Sequence, residues 1–370
     1  MSIDSRSLSI LFAAGGTGGH LFPAIAIAEE LKKIRADIRI DFVGTKDKIE
    51  ARVVPEKGFV FHTMWISGFH RRLTVDNLLF PVKVIVSLFQ SFFLIRKLKP
   101  NVVVGTGGYV CGPILYAASL MKIPTVVHES NSYPGVTTRM VASRVSKVLL
   151  TFEATKKWLP ELDSNKIDLV GNPTREALGK VSRNDGAKYF DLKPNGKTLL
   201  VFGGSLGATS INSAIEKIVG ELVKAGIQLI WQTGEKDFER YKLNKAPSVW
   251  VGKFIDRMEC AYAAADVVMC RSGATTLAEL TRLGKPAILV PYPHAAANHQ
   301  ELNAQTLVEA GAAVMVKDSD LDVNALSTIE EILLNDAAQK SMGEKSSRLG
   351  KPNAGKEIAQ KILALGFSKS

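Results

Sequence analysis

The sequence predicts an α/β protein made of two Rossmann-like, doubly wound parallel-sheet domains in series. Three observations point there. Short β-branched runs alternate with helical patterns along the whole chain. A strand, glycine turn, helix unit opens each half, as SILFAAGGTGGH from Ser9 and as TLLVFGGSLGAT from Thr198. At 370 residues the chain exceeds one ordinary core and fits two domains of about 170–200 residues each.

In the first half the expected strands are Leu8–Ala13, Ile38–Val43, Phe59–Trp65, Asn101–Val104, Thr125–His128, Lys147–Thr151 and Asp168–Val170. In the second they are Thr198–Phe202, Gln228–Gln232, Val249–Val251, Asp266–Cys270, Ala287–Pro291 and Ala313–Val316. Nearly continuous apolar strands separated by helices indicate parallel sheets covered on both faces. After GGSLGA, apolar Ile211, Ile215, Ile218, Val219, Leu222 and Val223 recur at helical spacing until Gly226 stops the run. Gly171 and Pro173 interrupt the pattern within GNPTREAL, residues 171–178, so the domains are expected at 1–174 and 175–352. Residues 179–197, rich in charge and Gly/Asn, read as the entry to the second domain. A final stretch, 353–370, holds a helix that could pack back on the first domain.

Composition is globular, with 46% apolar and 22% charged residues. The three cysteines, Cys111, Cys260 and Cys270, form no CxxC pair, which argues against a disulfide framework or structural zinc and for a reducing compartment. The first strand follows the N-terminus with no signal-peptide pattern before it, so a signal peptide is not expected. The net charge is +11, and it is concentrated: between Arg71 and Lys147 ten Lys/Arg face only Asp76 and Glu129. Such a basic stretch suits an anionic surface or substrate, either acidic lipid or nucleic acid. It is interleaved with apolar helix and lacks aromatic stacking platforms, so nucleic acid is the poorer fit.

Gly15-Gly16-Thr17-Gly18-Gly19-His20 follows a strand and precedes a helical run. Glycines let the backbone approach a ligand, and free N–H groups at a helix start attract phosphate. A second loop, Gly105-Thr106-Gly107-Gly108-Tyr109, follows another strand in the same half. Two such loops make a phosphate cradle a better account than tight strand-to-helix packing alone. Neither loop is GxGxxG, no acidic residue clearly ends the second strand, and there is no GxxxxGK[ST], so NAD and P-loop chemistry recede. In the second half Arg271-Ser272-Gly273 leads into Ala274-Thr275-Thr276-Leu277-Ala278-Glu279, a strand-to-helix junction suited to a diphosphate. Glu279 could bridge ribose hydroxyls or merely complement the helix dipole. The irregular segment Pro291-Tyr292-Pro293-His294 through Asn298-His299-Gln300 follows a strand, where open α/β sheets bind ligands.

The ordered set GGTGGH, GTGGYVCGP, HESN, GNPTR, GGSLGA, FIDRM, RSGATTLAE and PHAAANHQ resembles the MurG family of peptidoglycan N-acetylglucosaminyltransferases, over roughly residues 10 to 304. The resemblance implies the GT-B architecture, two Rossmann-like domains facing across a cleft with the donor mainly on the C-terminal one. It implies inverting transfer of N-acetylglucosamine from UDP-GlcNAc to the C4 hydroxyl of the muramyl sugar of lipid I, giving lipid II. It further implies donor contacts from Thr17, Gly18, Gly19, Asn131, Arg175 and Ser205, and from the backbone of Ile255 at the uracil. Ala274, Thr275, Thr276, Leu277, Ala278 and Glu279 would surround the diphosphate and ribose, with Gln300 near the sugar. The Gly105–Tyr109 loop would serve the acceptor. Leu206, Ser130 and Ala297 depart from the family pattern, where Gln, Gln and Asp are usual.

A single displacement needs a base for the acceptor hydroxyl and a stabiliser for the departing UDP. His20, at the end of its glycine loop, is the expected base. His128, beside Glu129 as a possible orienting carboxylate, is the second choice. Leaving-group charge would fall to Arg175, Ser205 and the helix start at Ala274–Thr275. No carboxylate cluster or DxD-like motif appears, so no cofactor or divalent metal is expected. The run Leu78–Ile95 approaches spanning length, yet Pro81, Lys83 and Gln90 interrupt it. Shallow insertion of Leu79, Phe80 and Val82 beside Lys83, ringed by Arg71, Arg72, Arg96, Lys97 and Lys99, is expected on an anionic phospholipid surface, with a buried core helix as the alternative. With the resemblance, this implies a peripheral location on the cytoplasmic face of the bacterial inner membrane. Two rival readings are another membrane-lipid glycosyltransferase of the same fold and a non-catalytic nucleotide-sugar sensor.

Overall fold

A computed structural model describes residues 8–68, 79–244 and 246–367. The chain divides into two compact units, Met1–Pro173 with Asn353–Ser370, and Thr174–Pro352.

The first unit holds strands β1 (Ser9–Ala13), β2 (Arg39–Gly44), β3 (Val60–Thr63), β4 (Val102–Gly105), β5 (Thr125–Glu129), β6 (Lys147–Leu150) and β7 (Ile167–Leu169). They form one parallel sheet in the order β3-β2-β1-β4-β5-β6-β7. Strand alternation sends Ile10 and Phe12 to one face, against Leu21, Ile25 and Ala28 of the helix Gly18–Ile34. Leu11 and Ala13 go to the other, against Ile114 and Leu115 of the helix Cys111–Leu120. Burial on both faces explains why these strands read as unbroken apolar runs. The last helix, Ala354–Phe367, buries Ile358, Ala359, Ile362 and Leu363 in the first of these cores. Lys361 adds an ion pair to Asp168 at 3.1 Å.

The second unit repeats the design with β8 (Thr198–Phe202), β9 (Gln228–Gln232), β10 (Val249–Gly252), β11 (Val267–Cys270), β12 (Ala287–Leu289) and β13 (Ala313–Met315). Its parallel order is β10-β9-β8-β11-β12-β13. In both sheets the winding reverses beside the first strand, between β1 and β4 and between β8 and β11. Loops at the C-terminal ends of those pairs frame a crevice where open α/β sheets bind ligands. Each expected glycine loop begins there, since Ala13 pairs Gly105 and Phe202 pairs Cys270.

All thirteen expected strands are present, β8 and β9 with the expected bounds and the others with shifted ends. β3 stops at Thr63 rather than Trp65, because the Trp65 N–H turns to the Gln90 side chain at 3.0 Å. β12 stops at Leu289, ahead of Pro291, whose ring nitrogen has no hydrogen to give a ladder.

The helix Phe80–Leu98 overturns one expectation. Lys83 was placed at a lipid surface; it is 7% exposed, and its ammonium donates to Ser67 Oγ at 3.0 Å. Ser87 and Ser91 are buried too, Ser91 donating to the Ser87 carbonyl at 2.6 Å. The polar side chains face inward, and Leu79, Val82, Ile85, Phe89 and Phe93 face solvent. Phe80 is half-buried. Arg96, Lys97 and Lys99 are exposed at the helix's far end. Arg71, Arg72, Asp76 and Leu78 lie outside the described residues. Among the described residues no helix is long and apolar enough to cross a membrane.

Candidate active site

In the first unit the two glycine loops interlock. A Cβ on Gly108 would lie 2.3 Å from the Gly15 carbonyl oxygen, and one on Gly107 would lie 2.4 Å from Cδ2 of the His20 ring. Both glycines adopt positive φ, +90° and +116°, so glycine is needed for conformation and for space alike. Thr106 ties the loops further by donating to the His20 carbonyl at 2.8 Å. Cys111 Sγ accepts from the Gly107 N–H at 3.2 Å and lies 2.9 Å from the Ala13 carbonyl. Burial pushes this thiol up to about 12, so it acts as a neutral strut. Tyr109 stands exposed and packs over Gly68.

His20 is half-buried at the start of the helix Gly18–Ile34, whose N-terminus no side chain caps. Its Nδ1 lies 3.3 Å from the Gly15 carbonyl and 3.4 Å from Thr17 Oγ1. Thr17 and Gly19 are exposed and Gly18 is half-buried, so the loop presents backbone to solvent.

His128 differs. Its ring is buried at the end of β5, with Nε2 2.9 Å from the Gly171 carbonyl. A carbonyl only accepts, so Nε2 carries the hydrogen and the buried Nδ1 is left without a hydrogen-bond partner. Burial lowers its pKa and keeps the ring neutral. The expected orienting role of Glu129 is not found. That carboxylate instead accepts from Asn131 N at 3.0 Å, Gly135 N at 2.9 Å and Thr138 Oγ1 at 2.6 Å. Glu129 shapes the turn that carries Asn131, whose amide also donates to it at 3.3 Å. Ser130 is buried, 3.5 Å from Asn172 Oδ1.

In the second unit the RSGATT junction builds the uncapped N-terminus of the helix Ala274–Leu283. One turn in, Glu279 is buried and meets two partners. Tyr262 donates to Oε2 at 3.1 Å, and Arg175 Nε approaches Oε1 at 3.3 Å as an ion pair without hydrogen-bond alignment. Burial pushes the Glu279 carboxyl up against the pull of Arg175. Burial also raises Tyr262 well above the usual phenol range, so it remains a donor. Arg175 is half exposed, its charge available to an anion. Arg282, three residues beyond Glu279, fixes the Arg175 segment by donating to Thr174 Oγ1 at 2.7 Å and to the Arg175 carbonyl at 3.1 Å.

Ser205 and Leu206 are exposed at the tip of GGSLGA. Gly207 packs so closely on the Thr233 carbonyl that a Cβ would lie 2.1 Å away. The Ile255 N–H, on the FIDRM loop expected at the uracil, already donates to Gln232 Oε1 at 2.9 Å. The other end of that amide donates to the Gly204 carbonyl at 2.9 Å, so one buried side chain clasps both loops. Only the carbonyl of Ile255 is then left for a base edge. Gln300 accepts from Tyr292 N at 3.0 Å, and its carbonyl accepts from Ser272 Oγ at 2.8 Å, joining the PYPH segment to the RSGA loop. Ala297 and Asn298 both hold positive φ, 50° and 54°, a region that Asp or Asn tolerates better than Ala. Among the described residues no three His, Cys, Asp or Glu side chains come together as a metal-ligand set.

Glu50, Gln232, Tyr262 and Arg282 were not singled out from sequence. Each is a polar residue in an apolar or mixed run with a partner 17 to 108 positions away, so local pattern carries no signal for that contact.

Comparison with known proteins follows the same division. The glycosyltransferase family 28 N-terminal domain matches residues 10–150, and the glycosyltransferase family 28 C-terminal domain matches residues 198–361. A relative from Chlorobaculum parvum is named UDP-N-acetylglucosamine–N-acetylmuramyl-(pentapeptide) pyrophosphoryl-undecaprenol N-acetylglucosamine transferase. It is 45% identical over 98% of this chain and 100% of its own length. One of the same name from Flavobacterium psychrophilum is 41% identical over 96% of this chain and 97% of its own. The crystal structure of Acinetobacter baumannii MurG superposes with a TM-score of 0.76 at 26% identity, covering 97% of this chain and 100% of that one. With both domains matched in order and relatives of this identity over their full length, the chain belongs to glycosyltransferase family 28 and to the family of transferases that these relatives form.

Proposed function

We propose that the protein transfers N-acetylglucosamine from UDP-GlcNAc to the C4 hydroxyl of the muramyl sugar of lipid I, with inversion, giving lipid II. The observation that carries this reading is full-length kinship with transferases of that name, joined to an uncapped helix start at Ala274–Thr275 beside Glu279 and Arg175. In the second unit Glu279 accepts the ribose hydroxyls, the Ile255 carbonyl and Gly204–Leu206 loop hold the base side, and Gln300 serves the sugar. The diphosphate takes the amides of Ala274–Leu277, the hydroxyl of Ser205 and the charge of Arg175. Thr17, Gly18, Gly19 and Asn131 add contacts from the first unit, and the Gly105–Tyr109 loop serves the acceptor.

His20 is the base. As the acceptor oxygen attacks the anomeric carbon, its proton passes to the imidazole, and the bond from that carbon to the β-phosphate oxygen breaks. The electron pair leaves with UDP, whose charge the second-unit donors stabilise, each important one worth about 10²–10³ in rate. Burial of His128 against Gly171 makes it a structural group in this scheme. The reading needs no divalent metal, and chelator should leave turnover unchanged. The exposed face Val82, Ile85, Phe89 and Phe93, with Arg96, Lys97 and Lys99, rests on anionic phospholipid at the cytoplasmic side of the inner membrane.

The test is transfer of labelled GlcNAc from UDP-GlcNAc to a lipid I analogue, beside UDP-glucose and UDP-GalNAc, with His20→Ala as control. Transfer from UDP-GlcNAc, lost in His20→Ala, is expected. Absence of turnover with any lipid acceptor would favour a nucleotide-sugar sensor.

A further inference from the structure

Beneath the loop that carries His20 lies a carboxylate that the reaction scheme does not use. Glu50, in the helix Ile49–Glu56, is completely buried. Its Oε1 accepts from Thr45 N at 3.0 Å and Thr45 Oγ1 at 2.7 Å, and its Oε2 accepts from Gly16 N at 3.1 Å. Space for it exists only because of two glycines. A Cβ on Gly15 would sit 2.4 Å from Oε1, and one on Gly44 would sit 2.5 Å from Cγ.

The Gly16 N–H and the Gly15 carbonyl belong to one peptide group. Glu50 accepts from its nitrogen end, and the His20 Nδ1 lies 3.3 Å from its oxygen end. Gly108 closes over that oxygen from the other side. A carbonyl oxygen has no hydrogen to give, so Nδ1 donates and Nε2 holds the lone pair. Hydrogen bonds in series polarise one another: an anion at the N–H makes the carbonyl a stronger acceptor. That favours the Nδ1–H tautomer before reaction and stabilises the imidazolium after it.

We propose that Glu50 is a positioning residue for His20, acting through the Gly15–Gly16 peptide group as a carboxylate–peptide–imidazole relay. The inference rests on the reading of His20 as base and adds how its tautomer is set. It also gives the buried carboxylate behind the glycine turn a role beyond satisfying the Gly16 and Thr45 donors.

The test compares Glu50→Gln, which keeps shape and loses charge, with Glu50→Asp, which keeps charge and shortens the reach. Full-length protein is used, with His20→Ala alongside. For Glu50→Gln the kcat should fall about 10–100-fold, the range seen for carboxylate and carbonyl partners that orient metal-ligating histidines. UDP affinity and the KM for UDP-GlcNAc should stay within about twofold. Glu50→Asp should retain more turnover than Glu50→Gln. With 15N-labelled histidine, the His20 signal, assigned by its loss in His20→Ala, should show the Nδ1–H form in the parent and a mixture in Glu50→Gln.

Turnover of Glu50→Gln near that of the parent, or Glu50→Asp as the weaker variant with the tautomer unmoved, overturns the relay and leaves a packing role. Should Glu50→Gln fail to fold, the parent spectrum decides alone, since an Nε2–H tautomer of His20 contradicts the proposal. Full activity of His20→Ala instead sinks the assignment of the base. An inactive His20→Ala with a fully active Glu50→Gln removes only the relay.

Discussion

Gln232→Glu isolates the clasp between the two loops proposed to hold the donor. The replacement keeps shape and leaves an oxygen to accept from Ile255 N, but it removes the hydrogens that reach the Gly204 carbonyl, 2.9 Å away. Two acceptors then face each other at 3% exposure. A buried acceptor stripped of its donor costs about 1–3 kcal/mol. If the loop moves to relieve this and UDP must draw it back, the whole cost appears in binding, a weakening of about 5- to 150-fold. Calorimetric titration with UDP measures it directly. Gln228→Glu is the matched control: it sits at the other end of β9, is as buried, and donates to the Lys193 carbonyl at 2.8 Å and Thr198 Oγ1 at 3.0 Å. It should cost comparable stability and leave UDP affinity unchanged. Equal loss of affinity in both variants, or none in Gln232→Glu, would refute the placing of UDP at these loops.

Gly107→Ala sets a methyl 2.4 Å from the His20 ring at φ +116°, costing about 1–3 kcal/mol of strain; turnover should drop on the order of 10²-fold with UDP affinity intact, and normal kinetics would detach His20 from the reaction. Phe89→Glu and Phe93→Glu alter side chains that are 62% and 73% exposed; each forfeits up to roughly 1.5–3 kcal/mol of insertion. Vesicle sedimentation should fall in both while UDP binding persists, and unchanged recovery would end the membrane reading of this face. Lys285, half-buried and donating to the Ala265 carbonyl at 2.6 Å, has its pKa lowered by burial from 10.5 to about 8. A folded-state value below the unfolded one penalises the fold at pH below 8 and relieves it as pH rises from 8 to 10.5, by at most about 3 kcal/mol. Lys285→Met should therefore raise the urea midpoint at pH 7 and flatten its rise toward pH 10; parallel pH profiles would contradict this.

Much of the molecule is legible from local pattern. The strands announce themselves because the central strands of each parallel sheet are buried on both faces, so most of their positions are apolar. The glycine loops stand out because the turn after a strand needs positive φ at Gly16, Gly107 and Gly204, whatever the rest of the chain does. Their placement at a winding reversal was not legible, since strand order depends on which helix crosses to which side.

The place of Lys83 on the helix Phe80–Leu98 was not legible for a related reason. Lys83 looks like a surface charge until the 64–68 segment folds beside it and Ser67 gives its ammonium a partner. By itself, then, the amino-acid order determined the two repeated folding units, their elements and the family motifs, because backbone preference and apolar periodicity act over a few residues. Tertiary structure alone decided that Glu50 meets Gly16, that Gln232 joins Gly204 to Ile255 and that Glu129 turns from His128 to Asn131. Those partners lie between 2 and 34 positions apart, and hydrogen bonds of about 3 Å tolerate no error in how sheets bring their loops together.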